Sequence, residues 1–262
     1  MLKEKHKQLR KVNKLILILA ALSGLFAMPA YAEDFSISGD IGVVSQYVSR
    51  GVTYTSGKPA VQGDVVVSYG GLSASAWFSN GYPSPAPQYA GRDTVEFDWG
   101  LDYSGSVDAF GYSVGVAYYT YLYDSASNVP EVYIGLSYDA AISPSLKTYV
   151  IFSESHNKAY LVGDTWIDFS LSADIAGLTF SVGGSYAYWV KDAVNRPNTD
   201  IYKDGLTVAK LGVSKDIEVG DVTLTASLSG STPIIGDSAD GNKYIYGSVG
   251  KPEVAFGLNL AY

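Results

Sequence analysis

The chain has 262 residues, 47% of them hydrophobic and 17% charged, with a net charge of −8 and no cysteine. The acidic balance argues against a nucleic-acid partner, because neutralising phosphates needs basic surface. Without cysteine there is no disulfide framework, thiolate metal site, thiol nucleophile or lipidated cysteine, and no residue pattern calls for a metal or other cofactor.

Residues 1–32 read as a secretory signal peptide. Lys3, Lys5, Lys7, Arg10, Lys11 and Lys14 precede an apolar run from Leu15 to Met28, and Ala30-Tyr31-Ala32 has the small-residue form of a cleavage site. The run is shorter than the roughly 20 residues of a comfortable membrane-spanning helix. This leader carries six of the 18 bases and one of the 26 acids, so residues 33–262 keep 12 bases against 25 acids. No later stretch is apolar for long enough to cross a membrane as a helix, so any crossing is expected to use strands.

From Phe35 onward the dominant signal is alternation with period two, the mark of strands with one apolar face. Val95-Glu96-Phe97-Asp98-Trp99-Gly100-Leu101-Asp102-Tyr103 is the clearest case, with one face apolar or aromatic and the other carrying three carboxylates. Strands are expected near 35–49, 60–69, 72–80, 93–103, 110–121, 131–138, 146–154, 164–173, 178–189, 205–215, 221–230 and 254–262. That is an even number, as a single-chain barrel needs when both ends lie on the periplasmic side.

The connections agree with this topology. Gly70-Gly71, Asp174 to Gly177 and Ile217 to Gly220 are tight, whereas Gly81 to Arg92, Val190 to Asp204 and Ser231 to Lys243 are long and rich in Gly, Pro, Ser and Asn. Short turns alternating with long external loops are the barrel pattern. Tyr69, Tyr103, Phe110, Tyr112 and Tyr138 fall beside the short turns, and Phe78, Tyr118, Phe152, Tyr186 and Tyr188 beside the long loops. Two aromatic girdles are expected there, although Tyr is also simply a good strand residue.

At the end of the chain Phe256, Leu258, Leu260 and Tyr262 alternate with small or polar residues, and the last residue is aromatic. That terminal strand is similar to the signal read by the barrel-assembly machinery. The fold expected for residues 33–262 is therefore all-β: a transmembrane antiparallel up-and-down barrel of about twelve strands. It would lie among the lipid and lipopolysaccharide of a Gram-negative outer membrane. A secreted β-sandwich would share the alternation but not the paired aromatic bands or the alternating connection lengths.

Ser45-Gln46-Tyr47-Val48-Ser49-Arg50-Gly51-Val52, followed by Lys58-Pro59-Ala60-Val61-Gln62-Gly63, resembles the opening of the TorF-type porin family of proteobacterial outer-membrane proteins. Gly71-Leu72-Ser73-Ala74-Ser75-Ala76-Trp77-Phe78-Ser79-Asn80 is similar to that family's third strand. The chain departs from the pattern at Gln46 and Ser49, and the resemblance covers about the first fifty residues after the leader. It implies a porin-like role without naming a solute.

If the odd-numbered apolar residues of the first strand face lipid, Asp40, Gln46 and Arg50 point inward. The same parity turns Gln62, Asp64, Glu96, Asp98, Asp102, Glu131, Asp168 and Lys210 into the lumen, with the aromatics Trp77, Tyr119, Tyr121, Tyr133, Trp166 and Trp189. Lys147 and Tyr149 join them if their ambiguous strand keeps that parity. A carboxylate facing hydrocarbon is costly, which makes the inward acids the firmer assignments.

An acid-leaning passage favours cations or neutral polar solutes, so a passive channel for small hydrophilic solutes is the leading functional expectation. Arg50 is either a constriction charge opposite the acids or a structural ion pair. Two further readings stay open: a structural or surface-binding barrel without conductance, and a lipid-modifying enzyme. The second would rest on His156 with its neighbours Ser153 and Ser155, although adjacency in sequence is not triad geometry.

Overall fold

The computed structural model describes residues 35–81, 94–190, 204–234, 244–245, 248–249 and 251–262. Most of the three long connections expected above lies outside these residues. Twelve strands form the wall: β1 (Phe35–Val44), β2 (Ala60–Tyr69), β3 (Leu72–Gly81), β4 (Thr94–Val107), β5 (Phe110–Tyr121) and β6 (Val129–Tyr138), then β7 (Ser143–Ile151), β8 (Thr165–Ile175), β9 (Leu178–Tyr188), β10 (Gly205–Val219), β11 (Val222–Pro233) and β12 (Glu253–Ala261). Each pairs antiparallel with its neighbours in the chain, and β12 returns to pair with β1, closing the sheet. Closure leaves no strand edge unpaired, which is the condition for passing through hydrocarbon as strands. No helix among the described residues is long and apolar enough to cross a membrane.

At one end four strand pairs are joined by two-residue turns, Tyr69 pairing with Leu72, Val107 with Phe110, Ile175 with Leu178 and Val219 with Val222, and β6 and β7 are joined by four residues, 139–142. Ala176 and Gly177 both have positive φ, 54° and 76°, the conformation whose twist matches the flanking strands. The opposite end carries the longer connections.

The expected alternation turns Phe35, Ile37, Ile41 and Val43 outward from β1, and Leu211, Leu228, Val254 and Phe256 outward from β10 to β12, all of them exposed. So continuous an apolar surface is far larger than a water-soluble monomer tolerates. Tyr69, Phe110 and Tyr138 lie exposed at the turn end, and Tyr118, Tyr186 and Tyr188 at the loop end.

Several strand limits differ from expectation. β1 stops at Val44 rather than 49, because the following segment leaves the wall and pairs with itself. β7 runs from Ser143 to Ile151 instead of 146–154, admitting Pro144. That proline pairs with Leu171 of β8, whereas the ladder to β6 already ends at Ser145, so no N–H is required on that side. β4 continues through Ser104-Gly105-Ser106 to Val107, and β10 and β11 also run longer than expected. Gly- and Ser-rich stretches resemble loops by composition. Here they belong to the wall, because the inward face needs only small residues.

Candidate functional site

The interior divides into two zones along the barrel axis. In the turn-end half the inward positions are mainly small: Ser36 and Ser38 on β1, Ser73 and Ser75 on β3, Ser104 on β4, Ser113 on β5, Ser137 on β6, Ser170 and Ser172 on β8, Ser181 on β9, Ser214 on β10, and Ser227 and Ser229 on β11. Many of these hydroxyls lie over a glycine of the next strand. A Cβ built at Gly111 would fall 2.5 Å from Ser137 Oγ, and one at Gly257 would fall 2.8 Å from Ser227 Oγ. The result is a thin, hydroxyl-lined vestibule whose inward carboxylates are Asp40, Asp64 and Asp102, with Asp174, Asp216 and Glu218 nearer the turns. Asp40 accepts from the Asp64 backbone N–H at 3.2 Å and from Asn259 Nδ2 at 3.0 Å. Asp102 accepts from the Tyr133 hydroxyl at 2.7 Å.

The loop-end half is filled. Residues 45–59, between β1 and β2, turn into the lumen as a small hairpin in which Val48–Ser49 pairs with Val52–Thr53. Arg50 and Gly51 form its tip with φ of 49° and 82°, both in the left-handed region that a tight two-residue hairpin requires. Gly51 adopts this freely, but a residue bearing Cβ is disfavoured there by roughly 1–2 kcal/mol.

The Arg50 side chain is held on every side. Its Nη1 and Nη2 donate to Glu131 Oε1 and Oε2 at 2.8 and 2.6 Å, a two-pronged ion pair with a carboxylate that is only 2% exposed. Its guanidinium carbon lies 5.0 Å from the ring centre of Tyr149, 5.5 Å from Trp166 and 5.9 Å from Tyr119. Such distances permit cation–π attraction. These four partners stand on β5, β6, β7 and β8, across the lumen from the strands that carry the hairpin.

Apolar contacts fasten the rest. Val52 packs against a buried cluster of Trp166, Ala187, Trp189 and Val208. On the near side Tyr47 stacks on Tyr54 at 5.0 Å and meets the edge of Trp77 at 5.4 Å. The buried Thr55 accepts the Tyr47 backbone N–H at 2.9 Å. Burial, and then the nearby Glu96 carboxylate, raise the Tyr47 and Tyr54 phenols well above their usual range. They therefore stay neutral. The space left between Arg50, Tyr47, Tyr54, Glu96 and Tyr160 is a cavity of about 40 Å³. That is room for little more than a water molecule.

The other inward residues form a network around this plug. Glu96 accepts from the Tyr121 hydroxyl at 3.0 Å, with Asp98 beside it on the same face of β4. Asp168 accepts from Lys210 Nζ at 2.8 Å, from Trp166 Nε1 at 3.0 Å and from the Ser185 hydroxyl. Lys147 Nζ lies 3.9 Å over the Tyr133 ring, which settles the ambiguous parity of β7 in favour of the lumen. Gln62 Nε2 donates to Ser79 Oγ at 3.2 Å. Gln46, read as part of the first strand, lies in the connection instead and donates to Glu253 Oε2 at 3.0 Å.

Trp189 follows β9, buried with its backbone N–H on Asp204 at 2.8 Å. Phe256, Leu258, Leu260 and Tyr262 face outward. Ser155 is buried and donates to Asn157 Oδ1 at 2.8 Å, whereas His156 is exposed, so the pair does not form a nucleophile and base.

Parity alone misses Tyr47, Val52 and Tyr54, loop residues brought inside by the hairpin, and Tyr160, which stands in the connection between β7 and β8. Two short runs opening on valine, Val48-Ser49 and Val52-Thr53, flank Arg50-Gly51 and were the available signal, weakened because arginine is not a usual hairpin residue.

The model of a family of bacterial proteins of unknown function, Gcw_chp, matches residues 30–169. No curated protein sequence matches the chain. Among solved structures the chain is similar to a KdgM porin, with a TM-score of 0.52 at 9% identity over 86% of this chain and 98% of that one. It is also similar to the COG4313 outer membrane channel from Pseudomonas putida F1, with a TM-score of 0.49 at 11% identity over 90% and 98%. A third is outer membrane phospholipase A from Escherichia coli, with a TM-score of 0.46 at 11% identity over 88% and 98%. At these identities the likeness to the KdgM porin concerns the fold, a closed barrel of the outer-membrane kind.

Proposed function

Because this chain belongs to Gcw_chp, a family described only as bacterial proteins of unknown function, we propose its role from the barrel itself: a porin-like channel for small hydrophilic solutes, closed at its loop end by the 45–59 hairpin. The observation that carries this reading is the contrast between the two halves of the lumen. One half is a hydroxyl-lined vestibule suited to polar solutes. The other is stoppered, among the described residues, mainly by the 45–59 connection, anchored at its tip by the Arg50–Glu131 pair. A barrel built only to fill its own interior would not need an open half.

The proposed setting is the outer membrane of a Gram-negative bacterium, after export on residues 1–32 and their removal. Insertion through the assembly machinery would use Phe256, Leu258, Leu260 and Tyr262. The apolar outer face supports contact with lipid and lipopolysaccharide. Kinship with TorF-type porins is part of the same proposal, and its residues 45–52 are the plug hairpin itself. Transport is passive, with no chemical step assigned to any residue. Cation preference follows from the excess of inward acids in the vestibule, Asp40, Asp64, Asp102, Asp174, Asp216 and Glu218, over Lys147, which lies close enough to Asp102 to offset it in part.

Planar-bilayer recording tests this directly. The expected result is rare, brief openings in the native protein and frequent openings once residues 46–56 are replaced by a short glycine-serine link. Reversal potentials under a salt gradient should favour cations. An absence of current from both proteins would overturn the channel reading, and anion preference would overturn the charge argument alone.

A further inference from the structure

We infer that the surroundings of Arg50 are a binding site for a soluble guanidinium-bearing cation, and that Arg50 is a tethered stand-in for that ligand. This deepens the proposed function by assigning a solute class to the same constriction.

The chemistry of the walls is the first ground. A carboxylate placed for two parallel N–H bonds matches the flat fork of a guanidinium, whereas an ammonium would engage it as a point charge. Three aromatic rings, from Tyr119, Tyr149 and Trp166, complete a cage of the composition that recognises large, weakly hydrated cations. The walls come from four neighbouring barrel strands rather than from the hairpin, so the groups that form the cage stay on the barrel wall when the hairpin leaves.

The second ground is the backbone that delivers the occupant. Arg50 stands at a hairpin position with φ of 49°, where glycine or asparagine would sit without strain. A purely structural plug would be better served by those residues. Strain of this kind persists where the surroundings over-determine it, and it clusters at ligand clamps and switches. Here the over-determining group is the cage.

The third ground is competition. A tethered group competes with free solute at an effective concentration in the millimolar range for short flexible links. A solute of the same chemistry would take the cage only when abundant, displacing Arg50 and with it the hairpin. Ligand entry and opening of the lumen would then be one event.

The test uses the full processed barrel in detergent micelles, with methylguanidinium as probe and methylurea, its neutral isostere, as control. Arg50→Gly empties the cage and relaxes the turn. This variant is expected to bind methylguanidinium saturably, read as a change in tryptophan fluorescence that Trp166→Phe removes. Binding should occur at about tenfold lower concentration, or less, than in the native protein, whose competent fraction is small. Glu131→Gln in the same background should abolish it, and methylurea should give no response.

Equal responses to methylguanidinium and methylurea would overturn the assignment, as would equal affinity of the native and Arg50→Gly proteins. If Arg50→Gly does not assemble, native protein titrated alone decides. A saturable, Trp166-dependent response to methylguanidinium and not to methylurea supports the site, and its absence up to molar probe refutes it. Raised current from Arg50→Gly without saturable binding would leave the channel reading standing and sink only the cage. Binding without current in either protein would do the reverse.

Discussion

Glu131→Gln is the sharpest perturbation of the plug, because it keeps the volume and changes only the charge. Glu131 is 2% exposed and engages Arg50 through bonds of 2.8 and 2.6 Å. Hydrogen bonds to charged groups are worth about 1.5–3 kcal/mol each, against about 0.5–1.5 for neutral ones. An amide also presents an N–H to one arm of the guanidinium, so one bond is lost and the other weakened. Breaking a buried pair by removing one partner typically costs about 3–5 kcal/mol. Arg50 keeps 16% of its side chain exposed and retains its three rings, so the lower end, about 3 kcal/mol, is appropriate. That shifts the docking equilibrium of the hairpin by roughly a hundredfold. In single-channel recordings the open probability of Glu131→Gln should rise by about that factor, with unchanged conductance of the open state. The fold should be intact, judged by circular dichroism and by the mobility shift between heated and unheated samples. Unchanged open probability in a correctly folded variant would refute the assignment of this pair as the latch.

Three further outcomes follow from other parts of the barrel. Leu211 is 66% exposed midway along β10, so Leu211→Arg should destabilise the barrel in lipid by about 2–4 kcal/mol, measured by denaturant unfolding in vesicles; no loss would contradict a lipid-facing position. Ser38→Trp should lower open-state conductance without changing open probability, because it narrows the vestibule and leaves the hairpin untouched. The Lys210–Asp168 pair is about a third exposed and Asp168 keeps two other donors, so Lys210→Met should cost only about 1 kcal/mol in the same unfolding assay. A loss as large as that of Glu131→Gln would show the wall pair to be the stronger fastening.

The barrel was largely legible from period two, because a strand between lipid and water must alternate and lipid punishes a misplaced charge. Tyr69 through Leu72 and Phe110 through Tyr121 fell where expected because turn residues bound them closely. Errors gathered where local composition conflicts with long-range pairing. Pro144 reads as a breaker but sits where the β6 ladder has ended, and Ser104-Gly105-Ser106 reads as a loop but lines a vestibule that needs small residues.

The site was half legible. Parity turned Glu131, Tyr119 and Trp166 inward and left Tyr149 open, and it is silent about what meets them there. Arg50 and Glu131 lie 81 residues apart, and their contact depends on the chain leaving the wall at Ser45. Alternation runs on through Gln46 and Tyr47, so the first strand looked continuous to residue 49. Only the left-handed turn at Arg50-Gly51 ends that continuity, and arginine disguises it.

The most direct test of the hairpin as gate uses the absence of native cysteine. Val52, which packs against the buried cluster that includes Val208, is replaced with cysteine together with Val208. A hairpin gate predicts that oxidation of this double variant abolishes channel openings in a planar bilayer and that reduction restores them. Equal current before and after reduction, with the cross-link verified, would contradict it.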